Sequence, residues 1–298
     1  MSRLYSRLRS MLIATGVGRR RQRRSAPSRP IVLLVFCGGL LIFLVIGTTG
    51  LILSNLRQRA VAETEQRLLA SATILSKLAG RDFQSLDLVE TNLIEEMESA
   101  AIVSSALYAD SMGGHEVHLT LREKSKGFPG LEALMLVGAD GRLINTSQSW
   151  PVPSLDLSDQ GYFRTLKANP QLSSLLSEPV RDAATRNWSF YLAHKFIGAD
   201  GEFLGLVVCA IRSRYFEEFY RTLALGQADS VALFRSDGLL LARYPHREAF
   251  MGKSFAEGRL RTEVLAHGGR GLVRQIGHVD GKYRLIAGAK LLGSSAYV

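Results

Sequence analysis

With 298 residues and a hydrophobic fraction of 46%, the chain has ample material for a packed core. Its net charge of +10 suggests nucleic acid until the charge is located: nine arginines and no acid fall in residues 1–30, and the remainder carries 28 basic against 27 acidic residues. That balance removes nucleic acid as a partner of everything after the tail.

Residues 1–30 read as a basic cytoplasmic tail and residues 31–54 as a transmembrane helix. No charged residue interrupts 31–53, and 23 residues at about 1.5 Å each give roughly 35 Å, enough to cross a bilayer core. The arginines before the span and the weaker charge after it (Arg57, Arg59, Glu63, Glu65) predict a cytoplasmic N-terminus. Residues 55–298 are then periplasmic, and the chain is a single-pass inner-membrane protein. The apolar run exceeds the roughly 7–15 residues of a signal peptide and lacks a small-residue cleavage site, so it reads as an uncleaved anchor. Cys37 lies in this span and Cys209 in a distant apolar run, so the two are not expected to pair.

Residues 55–81 predict a stalk helix, with Val61, Leu68, Ala72, Leu75 and Ala79 at heptad-like spacing. Such a stripe packs either on the domain that follows or on a second copy, making a homodimer through the stalk. Gly80 reads as a helix stop, followed by a second helix over 86–101 that sets Leu86, Val89, Leu93, Ile94 and Met97 on one side and Asp87, Glu90, Glu95, Glu96 and Glu98 mostly elsewhere. Residues 104–128 read as short helix and loop.

From Gly130 the period changes to that of strands. Asp140-Gly141, Asp200-Gly201, Asp237-Gly238 and Asp280-Gly281 each stand between alternating apolar runs, the pattern of a β-hairpin. The first pair lies 60 residues apart and the second 43, each with room for a helix-bearing insert. One α/β unit used twice follows. Between the copies, residues 213–225 predict a helix carrying Phe216, Phe219, Tyr220 and Leu223 on one side, ended by Gly226.

Over residues 55–298 this layout resembles the double-Cache (PDC) family of extracytoplasmic sensors. The resemblance rests on Ser158-Asp-Gln-Gly-Tyr-Phe163, Ser177-Glu-Pro-Val180, Asp200-Gly201-Glu-Phe-Leu-Gly205-Leu-Val-Val and Tyr215-Phe216. It implies an α+β fold: a single transmembrane helix, a long stalk helix, then tandem PAS-like (Cache) domains with antiparallel sheets. The implied boundaries are a membrane-distal domain at 82–212, a connecting helix at 213–226 and a membrane-proximal domain at 227–298. It further implies small-molecule sensing in the distal domain, with output through a histidine kinase, a diguanylate cyclase or a chemoreceptor domain. No second span and no output domain follow Val298 in this sequence. The chain therefore reads as the sensor part of a longer receptor or, alternatively, as a membrane-anchored binding or scaffolding protein without signalling output. Arg212 stands where amino-acid-binding members carry a pocket aspartate, and Gly161 where an acid is common, which removes the usual counter-charge for an ammonium group.

Tyr162 and Trp188 are the expected flat walls of the distal pocket, and Arg164, Arg181 and Arg212 are expected to hold a carboxylate or other anionic ligand. His115-Glu-Val-His118 lacks the spacing of a zinc-protease motif and reads as polar surface. His194, His246, His267 and His278 are scattered, Gly-Gly-Arg-Gly at 268–271 has no phosphate-loop lysine, and no G-x-S-x-G elbow is present. No enzyme, metal site or cofactor is expected.

Overall fold

A computed structural model describes residues 29–182, 186–223, 229–266, 268–277 and 281–298. The basic tail up to residue 28, Gly226, His267, His278 and Asp280 lie outside the described residues. The chain divides into two compact units, Met1–Val61 and Ala62–Val298.

Helix α1 runs Arg29–Ser99. Among the described residues it holds the one stretch long and apolar enough to cross a membrane. Leu40, Phe43, Ile46 and Leu53 are each more than half exposed, so the segment is apolar all round, as lipid requires. Contrary to the expected stop, α1 passes through Gly80, and the second helix predicted over 86–101 is its continuation. Gly80 is a close-approach site instead: a Cβ there would stand 3.3 Å from the backbone nitrogen of Leu292.

In the second unit, α2 (Ser105–Met112) and α3 (His115–Ser125) lead into β1 (Leu131–Gly138) and β2 (Leu143–Thr146). Helix α4 (Gly161–Ala168), short strands β3 (Ser174–Leu176) and β4 (Val180–Arg181), and long strands β5 (Trp188–Ile197) and β6 (Phe203–Arg212) complete the first sheet. Helix α5 (Ser213–Thr222) connects to β7 (Val231–Arg235) and β8 (Leu240–Tyr244). A 3₁₀ turn (Glu248–Phe250), α6 (Arg259–Ala266), β9 (Arg270–Ile276), β10 (Tyr283–Ala289) and β11 (Ala296–Tyr297) follow.

The hairpins are built alike. Gly141, Gly201 and Gly238 adopt φ of 89°, 86° and 93°, which glycine accepts without steric cost. In each, the preceding aspartate accepts the backbone N–H two residues on: Arg142 to Asp140, Glu202 to Asp200 and Leu239 to Asp237. The first sheet has the order β2-β1-β6-β5-β3, with β4 also on β5. In the smaller sheets β8-β7-β11 and β10-β9, Lys290 bridges Tyr297, and Ala289 exchanges both backbone hydrogen bonds with Val298. Counted within each repeat, both orders are the same circuit, second-first-fifth-fourth-third. All pairings are antiparallel.

One face of the large sheet packs on α1, where Leu86, Leu93 and Met97 share a buried cluster with Leu134, Phe190, Val207 and Ile211. Phe83, Phe190 and Phe216 stack with ring centroids 5.8–6.1 Å apart, tying α1, β5 and α5 together. On the opposite face, Tyr162, Phe163 and Leu166 of α4 pack against Met135, Val137, Leu206 and Val208. The heptad-like stripe of the stalk faces inward: Leu75 and Ala79 are buried in one cluster with Val231, Leu233 and Val298.

Candidate functional site

A cleft of about 530 Å³ opens at the β3 edge of the large sheet. α4 contributes Tyr162 and Thr165, β3 contributes Ser174 and Leu175, and Ser177, Ser236 and Ser295 add hydroxyls around it. Tyr162 is 3% exposed, its ring lies 5.1 Å from that of Tyr191, and its hydroxyl has no hydrogen-bond partner among the described residues. Burial pushes its ionisation well up, so the phenol stays neutral, and its oxygen, closed off from solvent, is an unused donor and acceptor behind the cleft wall. Ser177 is the fixed neighbour. Its Oγ accepts from the Tyr191 N–H at 2.8 Å and donates to the Glu178 carbonyl at 2.6 Å. Arg235 closes the cleft from the second repeat by donating to the Leu176 carbonyl at 3.0 Å and clasping both oxygens of Asp237. That guanidinium holds the Asp237 carboxyl below its ordinary range.

The five residues singled out from sequence do not share one place. Tyr162 lines the cleft. Trp188 and Arg181 meet elsewhere, on Glu248: the Trp188 Nε1–H donates to Glu248 Oε2 at 3.0 Å and Arg181 Nη1 lies 3.1 Å from Oε1. His246 joins them, with Nδ1 2.7 Å from Glu217 and Nε2 3.1 Å from Glu248. The Trp188 and His246 bonds hold the Glu248 carboxyl below its usual range. Burial alone would lower the His246 pKa, but its bonds to the two glutamates outweigh that and raise it. Trp188, Glu217, His246 and Glu248 of this cluster line a second hollow of about 430 Å³. Arg212 donates to the Pro129 carbonyl, and Arg164 is exposed on α4. Three arginines expected to converge on an anion are thus dispersed, two of them engaged.

Sequence reasoning missed Ser177 and Arg235 as cleft residues, although both stand in stretches it singled out, the Ser177-Glu-Pro-Val180 motif and the turn around Asp237. It also missed the buried acid of α1. Glu90 is fully buried, its Oε1 accepts the Cys209 N–H at 2.9 Å, and its Oε2 has no hydrogen-bond partner among the described residues. His194 Nε2 lies 3.9 Å from that oxygen and 2.9 Å from Asp87. Burial raises the Glu90 carboxyl well above its ordinary value. His118, expected at the surface, is buried with Nδ1 2.7 Å from the Thr146 carbonyl. Among the described residues no cluster of three metal-ligating side chains forms, and Cys37 and Cys209 are free.

Residues 213–296 match a family model described as a histidine kinase sensor domain of dCache_1-like type. The extracellular domain of the histidine kinase candidate rpHK1S-Z16 superposes with a TM-score of 0.67 at 28% identity, over 80% of this chain and 93% of that one. The chain carries the double-Cache sensor fold. Two chemoreceptor domains agree at lower identity and speak for the fold alone. The ligand-binding domain of the Pseudomonas fluorescens chemoreceptor CtaA, in complex with L-isoleucine, gives a TM-score of 0.55 at 18% identity over 81% of this chain and 93% of that one. The periplasmic sensory domain of the Campylobacter jejuni chemoreceptor Tlp1 gives 0.60 at 9% identity over 80% and 94%. No curated protein matches the chain.

Proposed function

We propose that residues 55–298 are the extracytoplasmic sensing module of a membrane-bound signal-transduction receptor, anchored by the apolar part of α1 with its N-terminus in the cytoplasm. The distal domain at 82–212 takes a small molecule, residues 213–226 connect, and the proximal domain at 227–298 relays the response. The observation that carries the ligand site is the Tyr162 hydroxyl, buried and without a partner in the wall of a 530 Å³ cleft. A buried polar group left unmade costs about 1–3 kcal/mol, which a ligand hydrogen bond recovers. The neighbour's L-isoleucine supports a small polar ligand with a carboxylate. The dispersal of Arg164, Arg181 and Arg212 argues against an arginine clamp, so we assign recognition to hydroxyl and backbone groups around Tyr162 and Ser177. Ligand binding drives signalling only through different affinity for two arrangements of the module.

Thermal unfolding of the protein against a panel of amino acids, small carboxylates and polyols tests this. At least one compound raises the melting temperature of the native protein. Tyr162→Phe, which removes the hydroxyl at constant shape, weakens that compound's binding up to about tenfold. A panel without any shift, or a shift indifferent to Tyr162→Phe, contradicts the assignment.

A further inference from the structure

The cluster around Glu248 joins elements that are far apart in the chain. Arg181 ends β4 and Trp188 begins β5, both in the first sheet, while His246 and Glu248 follow β8 in the second repeat and Glu217 stands on the connecting helix α5. Glu248 accepts the Trp188 Nε1–H at 3.0 Å and pairs with Arg181 at 3.1 Å, which ties the segment after β8 to the first sheet. His246 sits in the middle of this strap. Its Nδ1 is 2.7 Å from Glu217 Oε1, and its Nε2 is 3.1 Å from the Glu248 oxygen that Trp188 also uses.

A neutral imidazole carries a single N–H. With a carboxylate oxygen against each nitrogen, the neutral ring makes one hydrogen bond and turns its remaining lone pair on a negative oxygen. The imidazolium donates to both, and each bond is then charge-assisted. The contacts of His246 are therefore complete only when the ring holds its second proton. The charges further out are mixed. On α5, Arg214 pairs with Glu218 at 2.8 Å, and Arg221 lines the same hollow. Arg186 borders it just before β5, and Arg243 of β8 donates to the Pro245 carbonyl. These cations oppose a charge on the ring, but the two glutamates touch it directly. Burial works against the proton and the glutamate bonds work for it, with a net upward shift. The side chain is 40% exposed, so solvent protons reach it.

We propose that His246 is a proton-sensing site, an input to the module separate from the cleft beside Tyr162. As the surrounding pH falls, the imidazole gains its second proton, engages Glu217 and Glu248 together, and fastens the segment after β8 to both α5 and the first sheet. When that proton leaves, the contact kept is the one with Glu217, whose side chain is 12% exposed, and the one released is that with the half-exposed Glu248. The repeats then loosen at β4 and β5, while Arg235 still holds the Leu176 carbonyl of β3. The sign follows from the raised folded pKa. The stabilisation is complete below the ordinary imidazole value of about 6.5 and is lost as pH rises through the folded value above it.

The test compares the native full chain in detergent with His246→Gln, below the ordinary imidazole value of about 6.5 and well above it. Hydrogen exchange is followed across residues 245–250, as the ratio of variant to native rates at each pH, so that the intrinsic pH dependence of exchange cancels. At the lower pH the native protein exchanges at least about threefold more slowly than His246→Gln, and at the higher pH the two converge. Glu217→Gln and Glu248→Gln keep the imidazole but remove one negative partner, and each moves the loss of protection to lower pH. A ratio that is the same at both pH values overturns the proposal, because the proton responsible is then not on His246. Loss of protection at a pH unmoved by both glutamine variants overturns it as well, because the glutamates then do not hold the proton there.

Discussion

Glu90 stands four residues after Leu86 and three before Leu93, so helical spacing puts its carboxyl on the buried face of α1. There one oxygen accepts the Cys209 N–H and the other has no hydrogen-bond partner among the described residues. Its folded pKa is raised by burial first, only partly opposed by the Cys209 bonds. The stability it contributes is therefore complete below the unfolded carboxyl value and falls as pH rises through the folded one. Glu90→Gln keeps an acceptor and removes the proton equilibrium. Its melting temperature relative to the native protein climbs as pH rises above the ordinary carboxyl range; a difference constant with pH contradicts this reading. The spacing that buries Glu90 was readable in the sequence, where the carboxylates of this helix were instead taken together as an outer face. Trp188 and Arg181 had no such signal. Their partner Glu248 lies 60 residues beyond Trp188, and nothing local to either residue reveals it. Tyr162 was legible because a flanking motif marks the start of α4, whereas the direction of the nearby arginines depends on loops and on the second repeat.

Among the elements, the hairpins were the most legible, because an aspartate that caps its own turn and a glycine at positive φ act locally. Gly80 was not, since a glycine that ends a helix and a glycine that admits a neighbouring backbone are the same letter. The two readings separate by substitution. Gly80→Ala gains about 0.5–1 kcal/mol of helix propensity against one tight contact at 3.3 Å, and is close to neutral. Gly80→Leu drives a side chain into the Leu292 backbone and the Leu291 Cβ and costs about 1–3 kcal/mol, measured by urea unfolding. A helix stop would instead be indifferent to the size of the new side chain.

Of the two partners the heptad-like stripe of α1 left open, the protein's own second repeat takes it. Leu75 and Ala79 are buried against the protein's own second repeat, but Ile74 and Leu88, two heptads apart, are 57% and 59% exposed. A homodimer through the stalk is accordingly proposed to use that outer stripe. With Cys37→Ala as background, Ile74→Cys and Leu88→Cys give disulfide-linked dimers under mild oxidation, and Ala79→Cys does not. Linkage at neither outer position contradicts the outer-stripe dimer. The repeat architecture was visible at this scale before any contact was known, because each hairpin pair leaves room for a helix-bearing insert and the two read as copies of one unit. Everything in the sensing account rests on the second unit lying outside the cytoplasm, and one labelling experiment tests that directly. Ala199 is exposed beside the β5–β6 turn, and Cys209 is buried, so Ala199→Cys in the Cys37→Ala background gives one accessible thiol among the described residues. A membrane-impermeant maleimide labels it in intact spheroplasts if the account is right; labelling only after lysis would place the domain inside and contradict it.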